Sequence, residues 1–254
     1  MELVDGYTHC GRSKYQPIES VKAVMQAAGV NRAVLVQHLG EFDNSYIGQI
    51  VADDPEHFAG VCIVNHAAPD TGETLRQLAE SGHFKGIRIT TDTAETSPQL
   101  LAEAEEIGLI ILIYAPHGMA DFVDPLLEFL EMHPKAQIVL THMGNPDPAN
   151  DPKLEKHRNV FRLTQYPNVY YQVSGMRMFC PYPHEILHDM IAEALDQFGP
   201  SRLYWGSNYP VVGTQQHYTD DLRLLLDGRL PIPREAINAI ANDTAHQLWF
   251  AEPA

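Results

Sequence analysis

The chain has few cysteines, few basic residues and no long apolar run. Three of its 254 residues are cysteine, Cys10, Cys62 and Cys180, and no two of them form a C-x-x-C pair. An odd number of widely spaced thiols argues against a disulfide framework or a zinc knuckle, and it favours a reducing compartment. The longest apolar run, Leu109 to Ala115, is far shorter than the roughly 20 residues that span a bilayer.

Basic charge is also scarce. Lysine and arginine number 17 against 33 aspartate and glutamate residues, which gives a net charge of −16. Such a charge repels polyphosphate and anionic membranes, so neither nucleic acid nor a membrane surface is expected as a partner. The apolar core of a secretory leader is missing after Met1, which predicts a cytoplasmic protein.

Short apolar segments alternate with amphipathic, helix-length segments along the whole chain. Segments with apolar side chains on both faces are typical of parallel strands that are covered on both sides. The predicted strands are Glu2–Asp5, Arg32–Gln37, Phe58–Asn65, Phe84–Thr90, Leu109–Tyr114, Ala136–His142, Asn168–Ser174 and Arg202–Asn208. Gly29, Gly108 and Gly199 follow helical runs and suit left-handed helix ends.

Eight strands in strict alternation with helices predict an α/β fold, a (β/α)₈ TIM-type barrel forming one domain over residues 1–254. A doubly wound open sheet is the alternative, but it usually carries a Gly-rich phosphate turn after its first strand. The first turn here, residues 6–11, lacks that pattern. Barrels of this size often pair, which leaves a homodimer open.

The site of such a barrel lies at the carboxyl ends of its strands. The polar residues at those ends include Tyr7, His9, Gln37, Arg88, Tyr114, His117, His142, Arg177 and Asn208. His9 and His142 lie beside glycine turns that could aim their rings inward, so they are the strongest candidates for proton transfer. His117 lies three residues beyond its strand, where surface exposure is an equal alternative.

Several of these residues carry a resemblance to a known family. Residues 5–9, Asp-Gly-Tyr-Thr-His, resemble the opening D-x-H-x-H motif of the amidohydrolase superfamily. Residues 139–146 resemble its strand-six segment DHMGxP, and residues 205–210 are similar to its strand-eight segment GSDxP. Gly86-Ile87-Arg88, Val173-Ser174-Gly175 with Arg177, and Ile240-Ala241-Asn242 follow in the expected order. The likeness covers almost the whole chain and is greatest to the branch of 2-pyrone-4,6-dicarboxylate and sugar lactonases.

The resemblance implies a barrel enzyme that acts on small organic acids or lactones. Arg88 and Arg177 match positions from which the lactonase branch binds substrate carboxylates, and bidentate pairing explains the choice of arginine. A small anionic substrate is therefore expected. For either arginine alone, an ion pair within the rim of the barrel is an equal alternative.

Three positions depart from the family pattern. Tyr7 replaces the first histidine of the opening motif, Tyr114 stands where metal-binding relatives have a strand-five histidine, and Asn208 replaces the strand-eight carboxylate. A phenol and an amide are poor zinc ligands, so no cofactor and no tightly held metal are expected. If a divalent metal such as zinc binds, His9, His142 and His117 are its candidate ligands.

The leading hypothesis is a metal-independent, lactonase-like hydrolase. His9 and His142 would transfer protons, Tyr7 and Tyr114 would donate to a developing oxyanion, and Asn208 would orient the substrate. Substrate contacts would come from Arg88, Arg177, Tyr114, Gln37 and His117. A decarboxylase, hydratase or isomerase on the same scaffold remains an alternative. A ligand-binding barrel without turnover is another, and so is a chain in which a native aspartate has been changed to Asn208.

Overall fold

Eight parallel strands form one sheet in the order of the sequence. The computed structural model describes residues 1–251. The strands are β1 Val4–Thr8, β2 Arg32–Val36, β3 Phe58–Cys62, β4 Phe84–Thr90, β5 Ile110–Tyr114, β6 Ile138–Leu140, β7 Val169–Ser174 and β8 Leu203–Gly206. Each strand pairs in parallel with the next one along the chain.

The sheet closes between its first and last strands. The Thr8 and Tyr209 positions form a parallel bridge, and the His9 amide donates to the Tyr209 carbonyl at 2.8 Å. The Asn208 amide donates to the Tyr7 carbonyl at 2.8 Å. These bonds join the segment that follows β8 to β1, and the predicted (β/α)₈ barrel is confirmed.

Helices fill most of the connections. They are α1 Ile18–Ala28, α2 Ser45–Asp53, α3 Thr71–Glu80, α4 Thr91–Thr96, α5 Gln99–Ile107, α6 Val123–Met132, α7 His188–Phe198, α8 Gln215–Leu226, α9 Arg234–Asn238 and α10 Thr244–Trp249. A 3₁₀ segment, His157–Gln165, takes the place of a helix between β6 and β7. Within residues 1–251, no helix has the length and apolar character needed to cross a bilayer.

The alternation of side chains along each strand divides the core into two layers. The outer layer packs the strands against the helices, and it includes Leu35, Ile87 and Ile111. The inner layer fills the barrel with residues such as Val34 and Leu112, and Trp249 of α10 is buried with them. On β4 this alternation leaves Arg88 on the face opposite to Ile87, because successive side chains of a strand point to opposite faces.

Most strands are shorter than predicted. The sixth was expected over Ala136–His142, but β6 ends at Leu140 because the chain turns from Thr141 onward. The first was expected over Glu2–Asp5 and instead runs on to Thr8. Gly29 and Gly108 are left-handed as predicted, whereas Gly199 takes an extended ψ of 161°. Gly199 precedes Pro200, and a residue before proline is kept out of helical conformations.

Candidate active site at the mouth of the barrel

A small cavity of about 140 Å³ opens at the carboxyl ends of the strands. Its polar lining consists of His9, Lys14, Tyr15, Arg88, Tyr114, His142 and Asn208. Its apolar lining consists of Leu39, Met178 and Val211, each of which is more than a third exposed. The cavity therefore combines basic and hydrogen-bonding groups with an apolar rim, which is typical of a site for a small organic ligand.

His9 is held by the strand beside it. Its Nδ1 lies 2.6 Å from the carbonyl oxygen of Val36. A carbonyl oxygen can only accept, so Nδ1 carries the proton and donates it. The other ring nitrogen, Nε2, is then unprotonated and can accept a proton. Tyr15 stacks on the ring, with the centroids 4.9 Å apart.

His142 is aimed by a left-handed turn after β6. Four consecutive residues, 142 to 145, have positive φ angles, and only Gly144 among them is a glycine. A left-handed conformation costs other residues about 1–2 kcal/mol each. The turn is supported by His157, which is buried and whose Nε2 lies 2.8 Å from the Met143 carbonyl oxygen. Backbone strain of this kind is often retained where a side chain must be placed for function.

Burial keeps the histidines of the site neutral. Desolvation and, to a lesser extent, the nearby Arg88 cation lower the pKa of His9 to about 3. Desolvation and Arg88 likewise hold the pKa of His142 well below its ordinary value. Both imidazoles are therefore in the neutral form at neutral pH, with one ring nitrogen able to accept a proton.

The free energy of unfolding is expected to fall steeply as the pH drops below 6.5. Desolvation also lowers the pKa of the buried His157, to about 4. As the pH falls, these histidines take up protons at a higher pH in the unfolded chain than in the folded protein. Stability is thus fully present above pH 6.5 and is lost toward the folded pKa values, by up to about 1.4 kcal/mol per pH unit for each histidine.

Urea unfolding between pH 4.5 and 7.5 measures this slope. Asp5 acts in the opposite direction, because burial raises its pKa to about 6 and its ionisation costs stability as the pH rises. The comparison of the wild type with His9→Asn isolates one histidine from that background. The slope of the unfolding free energy against pH should be smaller in the variant by the contribution of about one proton. An unchanged slope would show that His9 is not buried in the neutral form.

Arg88 is a buried cation with no acidic partner in the part of the chain that the structure describes. Only 7% of it is exposed, and within residues 1–251 no carboxylate lies within ion-pair distance of it. Its guanidinium carbon lies 4.7 Å from the ring centroid of Tyr114 and 5.7 Å from that of Tyr7. Within the described residues, the Arg88 guanidinium donates one long hydrogen bond, at 3.4 Å, to the Gln37 carbonyl oxygen. Burying an unpaired charge is costly, so this cation is suited to an anionic ligand.

Tyr7 lies between the two imidazoles at the base of the site. Its ring centroid is 5.1 Å from that of His9 and 4.6 Å from that of His142. It fits there because position 206 is glycine, since a Cβ at that position would be 2.8 Å from the Tyr7 Cβ. Burial raises the pKa of Tyr7 to about 12, and within residues 1–251 its hydroxyl has no hydrogen-bond partner. The phenol therefore keeps its proton at neutral pH and can donate it to a ligand.

Asn208 is positioned from the first strand. The Asp5 carboxylate accepts hydrogen bonds from the Ser207 amide at 2.8 Å and from the Ser207 hydroxyl at 2.6 Å. This clamp fixes the turn in which Asn208 has a φ of 54°, a conformation that asparagine tolerates better than most residues. The side-chain amide of Asn208 lies 2.9 Å from the Met178 sulfur.

Besides the buried Tyr7, three residues predicted for the site lie outside the cavity lining. The Gln37 amide donates to the Asp43 carbonyl at 2.9 Å, so it holds its own loop. The His117 side chain is 82% exposed, and its nearest acidic group is Asp92 at 3.8 Å. Arg177 pairs with buried Asp221 through two nitrogens, at 2.9 and 3.0 Å. The expectation that both arginines face one cavity is therefore corrected, and Arg177 forms the alternative ion pair at the rim.

Lys14 and Tyr15, which were not among the predicted site residues, reach the cavity from the loop after β1. The Gly11 amide donates to the Gln16 carbonyl at 3.0 Å and closes this loop. A side chain at Gly11 would collide with the Lys14 carbonyl oxygen at 2.3 Å. Tyr15 has a φ of 69°, which turns its ring onto His9. Gly11 was a visible sequence signal for a tight turn, but the direction of the turn was not.

The donor set does not fit a firmly held divalent cation. No group of three His, Cys, Asp or Glu side chains converges on one point within residues 1–251. His9 and His142 are neighbours, but His117 points away and Tyr7 keeps its proton. The Arg88 guanidinium beside both imidazoles would also repel a cation. The predicted three-histidine set is therefore not assembled.

Comparison with known proteins places the chain among amidohydrolases. A sequence model described as amidohydrolase matches residues 6–251. The chain is 27% identical over 215 residues to the L-fucono-1,5-lactonase of Burkholderia ambifaria, covering 80% of this chain and 72% of that enzyme.

Solved structures share the fold. A probable 2-pyrone-4,6-dicarboxylic acid hydrolase from Acinetobacter baumannii, with citric acid bound, has a TM-score of 0.80 and 17% identity over 98% of this chain and 99% of that one. An amidohydrolase from Burkholderia multivorans with bound zinc has a TM-score of 0.78 and 19% identity over the same shares of each chain.

Proposed function

The chain belongs to the amidohydrolase family, and we propose that it hydrolyses a small lactone that carries a carboxylate, without a tightly bound metal. The observation that carries the proposal is the buried guanidinium of Arg88, which has no acidic partner among residues 1–251, beside two neutral imidazoles. An anionic group of the substrate would supply the missing partner of Arg88. The volume of about 140 Å³ favours a small substrate.

In this mechanism the substrate carboxylate binds Arg88 and places the lactone carbonyl over Tyr7. His142 Nε2 takes a proton from water as the water oxygen attacks the carbonyl carbon. Tyr7, and Tyr114 at the cavity wall, donate hydrogen bonds to the oxyanion that develops. The His142 imidazolium then returns the proton to the ring oxygen as the carbon–oxygen bond breaks, and a hydroxy acid is released.

Substrate binding also strengthens the base. The Arg88 cation is the second cause that lowers the pKa of both imidazoles. A carboxylate on Arg88 would neutralise that charge, so the pKa of His142 rises when the site is filled. A base whose pKa lies nearer to the working pH is more effective in proton transfer. The anion would thus act both as a recognition group and as an activator.

Asn208 is consistent with a histidine base. Relatives with the GSDxP motif have a carboxylate at this position, and an amide cannot accept a proton at neutral pH. The apolar rim of Leu39, Met178 and Val211 and the nearby Lys14 would contact the part of the substrate that extends from the cavity.

A lactone panel tests the proposal. The purified protein is dialysed against a chelator and incubated with sugar lactones and with lactones that carry a carboxylate. Acid release and product mass are then measured. We expect a gain of one water with ring opening, faster for the carboxylated lactones and unchanged by added zinc. Loss of carbon dioxide would instead identify a decarboxylase. No turnover, or activity that depends on stoichiometric zinc, would contradict the proposal.

A further inference from the structure

A buried chain of polar side chains runs from His142 into the interior of the barrel. His142 Nδ1 lies 2.8 Å from Ser174 Oγ, and Ser174 Oγ lies 2.8 Å from Gln172 Oε1. Gln172 Nε2 lies 3.0 Å from the Tyr204 hydroxyl and 3.3 Å from the Gly6 carbonyl oxygen. Gln172, Ser174 and Tyr204 are fully buried. A buried amide is costly unless its polar atoms are paired, and here each one is paired.

The Gly6 carbonyl sets the direction of every bond in this chain. A carbonyl oxygen only accepts, so Gln172 must present its NH₂ group to Gly6 and its Oε1 to Ser174. The Ser174 hydroxyl then donates to Oε1, and its free lone pair faces His142 Nδ1. Nδ1 must therefore carry the proton and donate it to Ser174. His142 Nε2 is left unprotonated.

The Gly6 carbonyl is itself fixed in place. A Cβ at position 6 would lie 2.4 Å from two ring atoms of Tyr204, so this contact requires glycine. Tyr204 in turn binds the Gln172 amide. The backbone of β1 and the ring from β8 thus hold the Gln172 amide between them.

We propose that Gln172 and Ser174 are positioning residues that hold His142 in the Nδ1–H tautomer, so that Nε2 faces the substrate as the proton acceptor. The inference rests on the proposed function for its catalytic consequence. His9 reaches the same tautomer by a single bond to the Val36 carbonyl oxygen. Among the described residues His142 Nδ1 has no carbonyl partner, because the left-handed turn aims it at β7, and the hydrogen bonds through Ser174 and Gln172 take that place.

The hydrogen-bond network of Ser174 and Gln172 also suits the protonated form of His142. When Nε2 accepts a proton from water, Nδ1 remains a donor to Ser174, and no hydroxyl or amide has to turn. The base can therefore gain and lose its proton without rearrangement of the buried network, which is the benefit of a preorganised site. A histidine that could exchange tautomers would spend part of its time with Nε2 protonated and unable to act as a base.

Nitrogen NMR of the full-length protein labelled with ¹⁵N-histidine tests the tautomer directly. The His142 signal is identified by its loss in His142→Asn. We expect Nδ1–H in the wild type. In Gln172→Met, which removes both amide atoms and keeps an unbranched side chain, the Ser174 hydroxyl is free to donate to Nδ1, and the proton is expected to move to Nε2. Gln37→Met is the matched control, since the Gln37 amide binds a loop carbonyl, and it should leave the His142 tautomer unchanged.

Turnover gives the second readout. For a lactone that the wild type hydrolyses, Gln172→Met should lower kcat by about 10²-fold or more with KM little changed, because the general base is lost while Arg88 remains. Ser174→Ala serves if Gln172→Met fails to fold, and it should give a mixture of tautomers. Nε2–H in the wild type, or an unchanged tautomer in the variants, would overturn the inference. If no lactone is hydrolysed, the proposed function fails while the NMR result still decides the tautomer.

Discussion

Replacement of Arg88 by methionine is expected to weaken substrate capture severely and, at the same time, to make the protein more stable. Loss of a buried guanidinium–carboxylate contact costs about 2–5 kcal/mol, or roughly 30-fold to several thousand-fold in kcat/KM. The loss should appear mainly as a higher KM for carboxylated lactones. The free protein gains stability because a buried cation, with no acidic partner in the described part of the chain, is removed from among aromatic rings.

The size of the gain follows from burial. Replacing buried charges by apolar side chains of similar volume is often neutral or stabilising by about 1–4 kcal/mol. A protein of this size shifts its Tm by roughly 2–4 °C for each kcal/mol. Thermal melting of Arg88→Met and the wild type, without ligand, measures this gain, and the lactone assay measures the loss.

Arg177→Met is the matched control. Arg177 lies at the same end of the barrel but is paired with buried Asp221, so its loss takes the guanidinium from a carboxylate that keeps His184 Nε2 at 3.3 Å. Breaking a buried pair in this way destabilises by about 3–5 kcal/mol. We expect the opposite signs: a lower Tm and a nearly unchanged KM. If Arg88→Met kept the wild-type KM, or if the two variants changed Tm in the same direction, the assignment of Arg88 to the substrate would be wrong.

Replacement of His142 by asparagine is expected to lower kcat by about 10²- to 10⁴-fold, the usual contribution of general acid–base catalysis. Asparagine is chosen because His142 has a φ of 51°, and asparagine adopts left-handed conformations more readily than alanine. The amide cannot accept a proton, yet it preserves the turn. The thermal melt should therefore change little, and KM should stay close to that of the wild type because Arg88 is intact.

Two further variants, His9→Asn and His117→Asn, show which histidine acts as the base. His9 is the other buried imidazole of the site, and His117 is exposed. His117 is outside the cavity and its replacement should leave kcat unchanged. A variant of His142 that retained most of its kcat while His9→Asn lost it would move the role of base to His9. Retention of kcat by both variants would contradict a histidine base altogether.

The fold could be predicted because its signal is local and repeated. Each strand is apolar on both faces, and this pattern recurs eight times between amphipathic segments. The site could be predicted in part for the same reason, since strand ends converge in a barrel whatever the loops do. His9, Arg88, Tyr114, His142 and Asn208 line the cavity, and Tyr7 lies buried beneath them. Their chemical roles stay predictions until the variants are measured.

The loops explain why Gln37, His117 and Arg177 lie outside the cavity lining. A residue one to three positions beyond a strand can point inward or outward, and the outcome depends on partners far away in sequence. Arg177 pairs with Asp221, which lies 44 residues later on α8, and therefore does not line the cavity. Lys14 and Tyr15 line the cavity because their loop is closed by a hydrogen bond from Gly11 to Gln16. Neither partner lies within the local pattern that sequence analysis can use.

The sequence by itself determined the barrel, the family and the identity of the groups at the strand ends, because hydrophobic periodicity and residue chemistry are properties of the chain. Only the tertiary structure decided which charges are paired and which ring nitrogens carry protons. Within residues 1–251 Arg88 is buried without an acidic partner, and the Gly6 carbonyl fixes the proton of His142 through Gln172 and Ser174. Both results require atoms from distant strands at hydrogen-bond distance, and that distance exists only in the folded barrel.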